Sequence, residues 1–303
     1  MKSTEALLSN CIICPRECGV NRLAGQKGYC GTAATLVAAR AALHFWEEPC
    51  ISGMVGSGTV FFGGCNLRCV FCQNYPIAVG ACGKEITIPR LAGIFLELQE
   101  KGAANINLVT PTHYIPQIRE ALLLAKEQGL RLPIVYNTGG YEKVEALRLL
   151  DGLVDIYLPD LKYYSTELSS KYSHAPDYFQ KAALALAEMF RQAGTPVFDT
   201  STGFMQRGMI VRHLILPGQV KDSKKVLHYL FDTYGNDIYV SIMNQYTPLP
   251  HVTQFPELDC RVTAEEYNRV ISFCLRLGLE NAFIQEGETA EESFIPAFDL
   301  EGI

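Results

Sequence analysis

The sequence predicts an α/β fold: a partial (β/α)6 TIM-like barrel over residues 51–303, behind a small Cys-rich N-terminal extension over residues 1–50. Three observations carry that expectation. Short runs rich in Val, Ile and Tyr, apolar on both faces, recur along the chain as buried parallel strands do. Amphipathic segments separate them, giving six or so β-then-α units with right-handed crossovers. The pattern lasts about 240 residues, the length of a full or partial barrel, with a doubly wound open sheet as the alternative. In either case ligands meet the C-terminal ends of the strands.

The strands are expected at residues 59–62, 106–110, 134–137, 154–158, 209–216, 238–243 and 282–285. Leu91, Ile94, Phe95 and Leu98 share one helical face that stops at Gly102, and Ile115, Ile118, Leu122 and Ala125 share another that stops at Gly129. Further helices are read at 178–191 and 222–233. Thr263 and Glu266 form a capping box ahead of Tyr267, Val270, Ile271 and Cys274. Residues 1 to about 50 are punctuated by Cys and Gly and lack sustained periodicity.

Of the 303 residues 48% are hydrophobic and 19% charged, enough for a large core and against wholesale disorder. The net charge is -6 and the pI about 5.6, so the basic footprint of a nucleic-acid or anionic-membrane binder is absent. The first ten residues do not read as a signal peptide, and no apolar run approaches the ~18 residues of a membrane span. A soluble, cytoplasmic protein is expected.

Eleven cysteines stand out. Disulfides are disfavoured in a reducing cytosol, so the spacing is read for metal or catalysis. After the first expected strand comes Gly63-Gly64-Cys65-Asn66-Leu67-Arg68-Cys69-Val70-Phe71-Cys72. Three thiolates in C-x3-C-x2-C can hold one cluster from a single loop, leaving a coordination position open where structural zinc would be closed. On a cubic [4Fe–4S] cluster that position is an iron able to bind substrate. Cys11, Cys14, Cys18 and Cys30 form a second, four-thiolate set, suited to structural zinc or an auxiliary iron–sulfur cluster. Gly19, Gly25 and Gly28 allow its turns. Cys50, Cys82, Cys260 and Cys274 stand alone.

With C-x3-C-x2-C and an aromatic before the last cysteine, the chain resembles the radical S-adenosylmethionine (SAM) superfamily, and within it most the branch of pyruvate formate-lyase activating enzymes. Further segments match in order across nearly all of residues 50–290: Gly56-Ser57-Gly58, Cys72-Gln73-Asn74, Asn137-Thr138-Gly139, Asp160-Leu161-Lys162, and Arg212 to Gly218. The amino-terminal four-Cys motif is similar to that of an activating-enzyme-like subgroup.

The resemblance implies that Cys65, Cys69 and Cys72 hold a [4Fe–4S] cluster whose open iron is chelated by SAM. Reductive cleavage of SAM would give a 5′-deoxyadenosyl radical that abstracts hydrogen, from a glycine of a partner glycyl radical enzyme, from a small molecule or from a peptide. A flavodoxin or ferredoxin-type reductant is implied as well. Phe71 would lie against the adenine, and Thr110, Asn137, Asp160 and Lys162 near the polar groups of SAM. Where the family carries Gly-Gly-Glu, this chain has Thr110-Pro111-Thr112-His113-Tyr114, whose hydroxyls and imidazole can accept a hydrogen bond. His113 is the best-placed histidine for chemistry, though a lone histidine is more often structural. The alternative function is an iron–sulfur electron carrier, which would need neither the barrel nor the cofactor contacts.

Overall fold

The computed structural model describes residues 3–285 and 296–303. Its chain order is α1 (Thr4–Ser9), β1 (Leu36–His44), β2 (Ser57–Phe62), α2 (Tyr75–Ala78), β3 (Lys84–Ile86), α3 (Ile88–Glu100), β4 (Ile106–Val109), α4 (Ile115–Glu127), β5 (Ile134–Thr138) and α5 (Val144–Leu147). It continues with β6 (Ile156–Pro159), α6 (Thr166–Ser173), α7 (Tyr178–Ala193), β7 (Val197–Phe198), β8 (Met205–Leu214), α8 (Val220–Tyr234), β9 (Tyr239–Met243), α9 (Ala264–Leu277) and β10 (Ala282–Ile284).

The strands β2-β4-β5-β6-β8-β9-β10 are parallel neighbours in chain order, and the sheet does not close on itself. Six βα units leading to a seventh strand make a partial barrel. The uninterrupted order removes the doubly wound alternative, whose strand order must reverse at a switch point. Each of the seven expected strands lies where the sequence put it. Those the pattern missed are β1 and β3 at the sheet edge and β7, which pairs antiparallel with β8. β1 escaped notice because four alanines, Arg40 and His44 accompany only three large apolar side chains, so neither period stands out.

Helix boundaries follow local chemistry. The Thr87 hydroxyl accepts the Arg90 N–H (3.2 Å) ahead of α3. Thr263 and Glu266 close the expected capping box on α9.

Alternation along the strands divides the interior in two. Ile106, Leu108, Tyr136, Tyr157, Val211 and Val240 face the helices in the main core. Val135, Ile156, Leu158 and Ile210 face inward, where they meet Cys50 and Ile51. The connection from β1 to β2 therefore plugs the barrel, held there by Met205 N–H on the Cys50 carbonyl (2.9 Å) and Asn105 Nδ2 on the Ile51 carbonyl (2.7 Å). Residues 297–303 return along β1: Leu300 N–H donates to Ala39 O, Ala41 N–H donates to Glu301 O, and Arg40 pairs with Asp299 (2.7 Å). No helix among the described residues is long and apolar enough to cross a membrane.

Candidate active site

The loop Gly63–Cys72 leaves β2 at its C-terminal end. Gly64 holds φ +86°, and a Cβ there would sit 2.7 Å from the Cys30 carbonyl, so a side chain is excluded on both counts. Turning the loop this way aims backbone N–H groups at sulfur: Leu67 and Arg68 donate to Cys65 Sγ at 3.3 and 3.5 Å. Ser173 Oγ donates to Cys69 Sγ at 3.0 Å. Such donors stabilise thiolates and tune a cluster held by them. Burial raises the Cys65 and Cys72 thiols, and the neighbouring cysteines add to it. A bound cation is what would deprotonate them.

Strand ends complete the cleft. Thr110, just after β4, is held at φ +59°, a left-handed conformation that a β-branched residue adopts only under constraint, and its N–H donates to Asn137 O (2.9 Å). At Gly140 a Cβ would meet the Asp160 carbonyl at 2.2 Å, so glycine lets the ends of β5 and β6 close together. Phe71 is buried and packs edge-on to Tyr163, Tyr172 and Tyr246 at 6.2 to 6.5 Å. Cys65, Cys69, Cys72, Phe71, Thr110, Asn137, Asp160 and Lys162 all line this one cleft.

The floor is ionic. Lys162 Nζ donates to Asp160 Oδ2 (2.5 Å), and Arg212 Nε to Asp160 Oδ1 (3.0 Å). Arg212 also reaches Glu47 Oε2 (3.1 Å) and Asn137 Oδ1 (2.5 Å). Burial alone would raise the Asp160 carboxyl, but Lys162 and Arg212 outweigh it and hold the group below its usual value. Burial likewise works against Lys162, and Asp160 keeps it charged. Burial dominates at Glu47, which is raised. Charges this deep cost several kcal/mol each to desolvate and are more typical of functional centres than of packing.

Among the described residues, no three Cys, His or acidic side chains are gathered closely enough to hold one metal ion. A cubic cluster does not ask for that, because its thiolates bind different irons. None of Cys11, Cys14, Cys18 and Cys30 lines the cleft. Cys14 is buried and feels Cys30 and Cys11, whereas Cys18 is exposed and accepts the Tyr29 N–H (3.3 Å). His113 is buried behind the loop with Nε2 at 2.9 Å from the Gly63 carbonyl, and burial lowers it to about 3. It is a neutral histidine outside the cleft, in the structural position that a lone histidine more often takes.

The model of the radical SAM superfamily matches residues 59–225 of this chain. The chain belongs to the radical SAM superfamily. Two uncharacterized proteins of Methanocaldococcus jannaschii are similar to it. MJ0674 is 27% identical over 283 residues, covering 90% of this chain and 77% of that protein. MJ0808 is 23% identical over 255 residues, covering 75% and 67%. Among solved structures, Streptococcus suis SuiB bound to its precursor peptide SuiA aligns with TM-score 0.51 and 13% identity over 74% of this chain and 47% of SuiB. Methylornithine synthase (PylB) gives TM-score 0.48 and 17% identity, over 70% of this chain and 58% of that one. This radical SAM chain thus spans about half the length of the solved chains, and the likeness to SuiB is one of fold.

Sequence reasoning gave no role to Glu47, Trp46 or His44, which line the same cleft, and quoted Arg212 only as part of a motif. Arg212 carried a signal: a charge inside the apolar run from Met209 to Leu216 of a strand buried on both faces needs a partner. Glu47 carried none, since nothing in the sequence says that the β1–β2 connection turns into the barrel.

Proposed function

We propose that this radical SAM enzyme holds a [4Fe–4S] cluster on Cys65, Cys69 and Cys72 and binds SAM over Phe71, Thr110, Asn137, Asp160 and Lys162. The observation that carries the reading is that all eight residues, from four separate stretches of chain, line one cleft at the C-terminal ends of the parallel strands. The residues suit the groups: three thiols share one loop with N–H donors on sulfur, and Lys162 beside Asp160 offers a charged donor to a carboxylate. When bound, the reduced cluster supplies the electron that cleaves SAM to methionine and a 5′-deoxyadenosyl radical. The chain's own part is to orient the cofactor and exclude water. Phe71 supplies a ring already locked by three aromatic neighbours. Asp160, balanced by two cations, keeps Lys162 in place.

The hydrogen donor is read as a glycine of a partner glycyl radical enzyme, with a small molecule or a peptide as the alternative. A flavodoxin or ferredoxin-type protein is the proposed reductant. The amino-terminal cysteines are read as a second centre, zinc or iron–sulfur, supported by four thiols within twenty residues; metal analysis of a Cys65/Cys69/Cys72 triple variant tests it. The whole reading is tested anaerobically with dithionite. Wild-type protein should show a charge-transfer band that SAM perturbs, and should release 5′-deoxyadenosine. No 5′-deoxyadenosine under strong reductant, with or without candidate partners, would leave the electron-carrier reading in its place.

A further inference from the structure

We propose that Glu47 is the positioning residue of the SAM site: from the segment that plugs the barrel, its carboxylate fixes Arg212 and Asn137, and through Arg212 the Asp160–Lys162 pair. The inference rests on the SAM reading above and adds to it a residue outside the quoted motifs.

Glu47 accepts from three elements at once. Its Oε1 takes Asn107 Nδ2 (2.9 Å) from β4 and Asn137 Nδ2 (3.2 Å) from β5, and its Oε2 takes Arg212 Nη1 (3.1 Å) from β8. The consequence for Asn137 is orientational. Its Nδ2 faces the Glu47 carboxylate and its Oδ1 the Arg212 guanidinium (2.5 Å), so a flipped amide would set oxygen against carboxylate and nitrogen against guanidinium. Arg212, held from one side by Glu47, presents Nε to Asp160 Oδ1 while Lys162 takes Asp160 Oδ2. Both oxygens of Asp160 and both of Glu47 are thereby occupied by internal donors.

The side-chain N–H groups, by contrast, are only partly engaged. Lys162 keeps two N–H donors beyond the one it gives Asp160, Arg212 keeps two of five and Asn137 one of two, by the donor inventory of these side chains. A floor whose oxygens each already face an internal donor, and which keeps unengaged N–H groups, favours a carboxylate or a hydroxyl oxygen, as the methionyl and ribose parts of SAM provide. Only an acceptor-only anion at position 47 gives this result. Glutamine fills the same volume but turns an N–H toward either the guanidinium or the two amides.

The test is a double-variant cycle on cluster-loaded protein, with SAM affinity read from the fluorescence of Trp46, the single tryptophan of the chain and a residue of the cleft wall. Glu47→Gln should keep wild-type iron content and lose at least tenfold in SAM affinity. Arg212→Ala should lose as much or more, and Glu47→Gln added to Arg212→Ala should cost less than half the fold-loss it causes in the wild type, because the path through Arg212 is then gone and only the direct bond to Asn137 remains. Wild-type affinity in Glu47→Gln, or losses that multiply in the double variant, overturn the proposal. So does a lowered melting temperature with unchanged affinity, the mark of a purely structural carboxylate. Where Glu47→Gln does not fold, Glu47→Asp with Arg212→Lys carries the same cycle and the same criteria. A wild-type protein that binds no SAM overturns the cofactor reading and this inference together, whereas SAM binding with an uncoupled cycle overturns this inference alone.

Discussion

The backbone N–H of Cys65 donates to the carbonyl of Cys30 at 3.3 Å, tying the first cysteine of the three-cysteine loop to the last of the amino-terminal set. Arg16 reinforces the tie: its Nε donates to Asn66 O (2.8 Å), its Nη2 to Ser173 O (2.9 Å), and its guanidinium stacks 3.9 Å from the Tyr29 ring centre. The cysteine-rich extension thus braces the loop that carries Cys65, Cys69 and Cys72. Arg16→Ala should lower the iron retained after anaerobic purification at least twofold and leave the far-ultraviolet dichroism unchanged. Full iron content in that variant would show that the brace is dispensable.

In the proposed cluster each loop cysteine is one of three protein anchors. Cys65→Ala, Cys69→Ala or Cys72→Ala should therefore remove the cluster assigned to that loop, while the barrel core, built on other residues, keeps the fold. Iron and labile-sulfide analysis set beside circular dichroism checks both halves of that expectation.

Asp160 and Lys162 should differ when removed. Asp160→Ala leaves Lys162 and Arg212 as two part-buried cations without their shared carboxylate, which costs at most roughly 3–5 kcal/mol. Lys162→Ala leaves the Asp160–Arg212 pair intact and costs less. Both should weaken SAM binding about tenfold or more, and melting temperatures should rank Asp160→Ala as the less stable. The reverse ranking would mean that the charges are better solvated than the structure indicates.

Thr110 pays for its position in backbone strain. Thr110→Gly should relieve the left-handed φ and raise stability by about 1 kcal/mol, while the lost hydroxyl weakens cofactor binding. Denaturant unfolding and SAM titration of one preparation would separate the two effects.

Glu142 sets a pH dependence. Its Oε1 accepts from the hydroxyls of Thr112 (2.6 Å) and Thr138, and burial raises the carboxyl from 4.5 to about 7. The folded state thus keeps the proton that the unfolded chain releases. Its stabilising contribution is full below about pH 4.5 and lost as pH rises to about 7, on the order of 3 kcal/mol in all. Glu142→Gln should remove most of that slope, so that wild type loses more stability than the variant between pH 5.5 and 8. Parallel pH profiles of the melting temperature would exclude Glu142 as the titrating group.

The sequence by itself determined the seven parallel strands, the five longest helices between them and the three-cysteine loop. Each rests on short-range order: apolar runs of strand length, capping residues, and three thiols whose spacing is a property of one loop. It also singled out Asn137, Asp160 and Lys162, because a polar residue that ends an apolar run is visible locally. Which of these meet was decided by tertiary structure. Glu47 is 90 residues from Asn137 and 165 from Arg212. Only the inward turn of the β1–β2 connection, burying Ile51 among Val135, Ile156 and Ile210, brings its carboxylate to them. His113 shows the converse: next to the expected site in sequence, it is turned behind the loop to the Gly63 carbonyl. Hydrophobic periodicity records which face of an element is buried, but not which distant charge must arrive to balance the ones buried there.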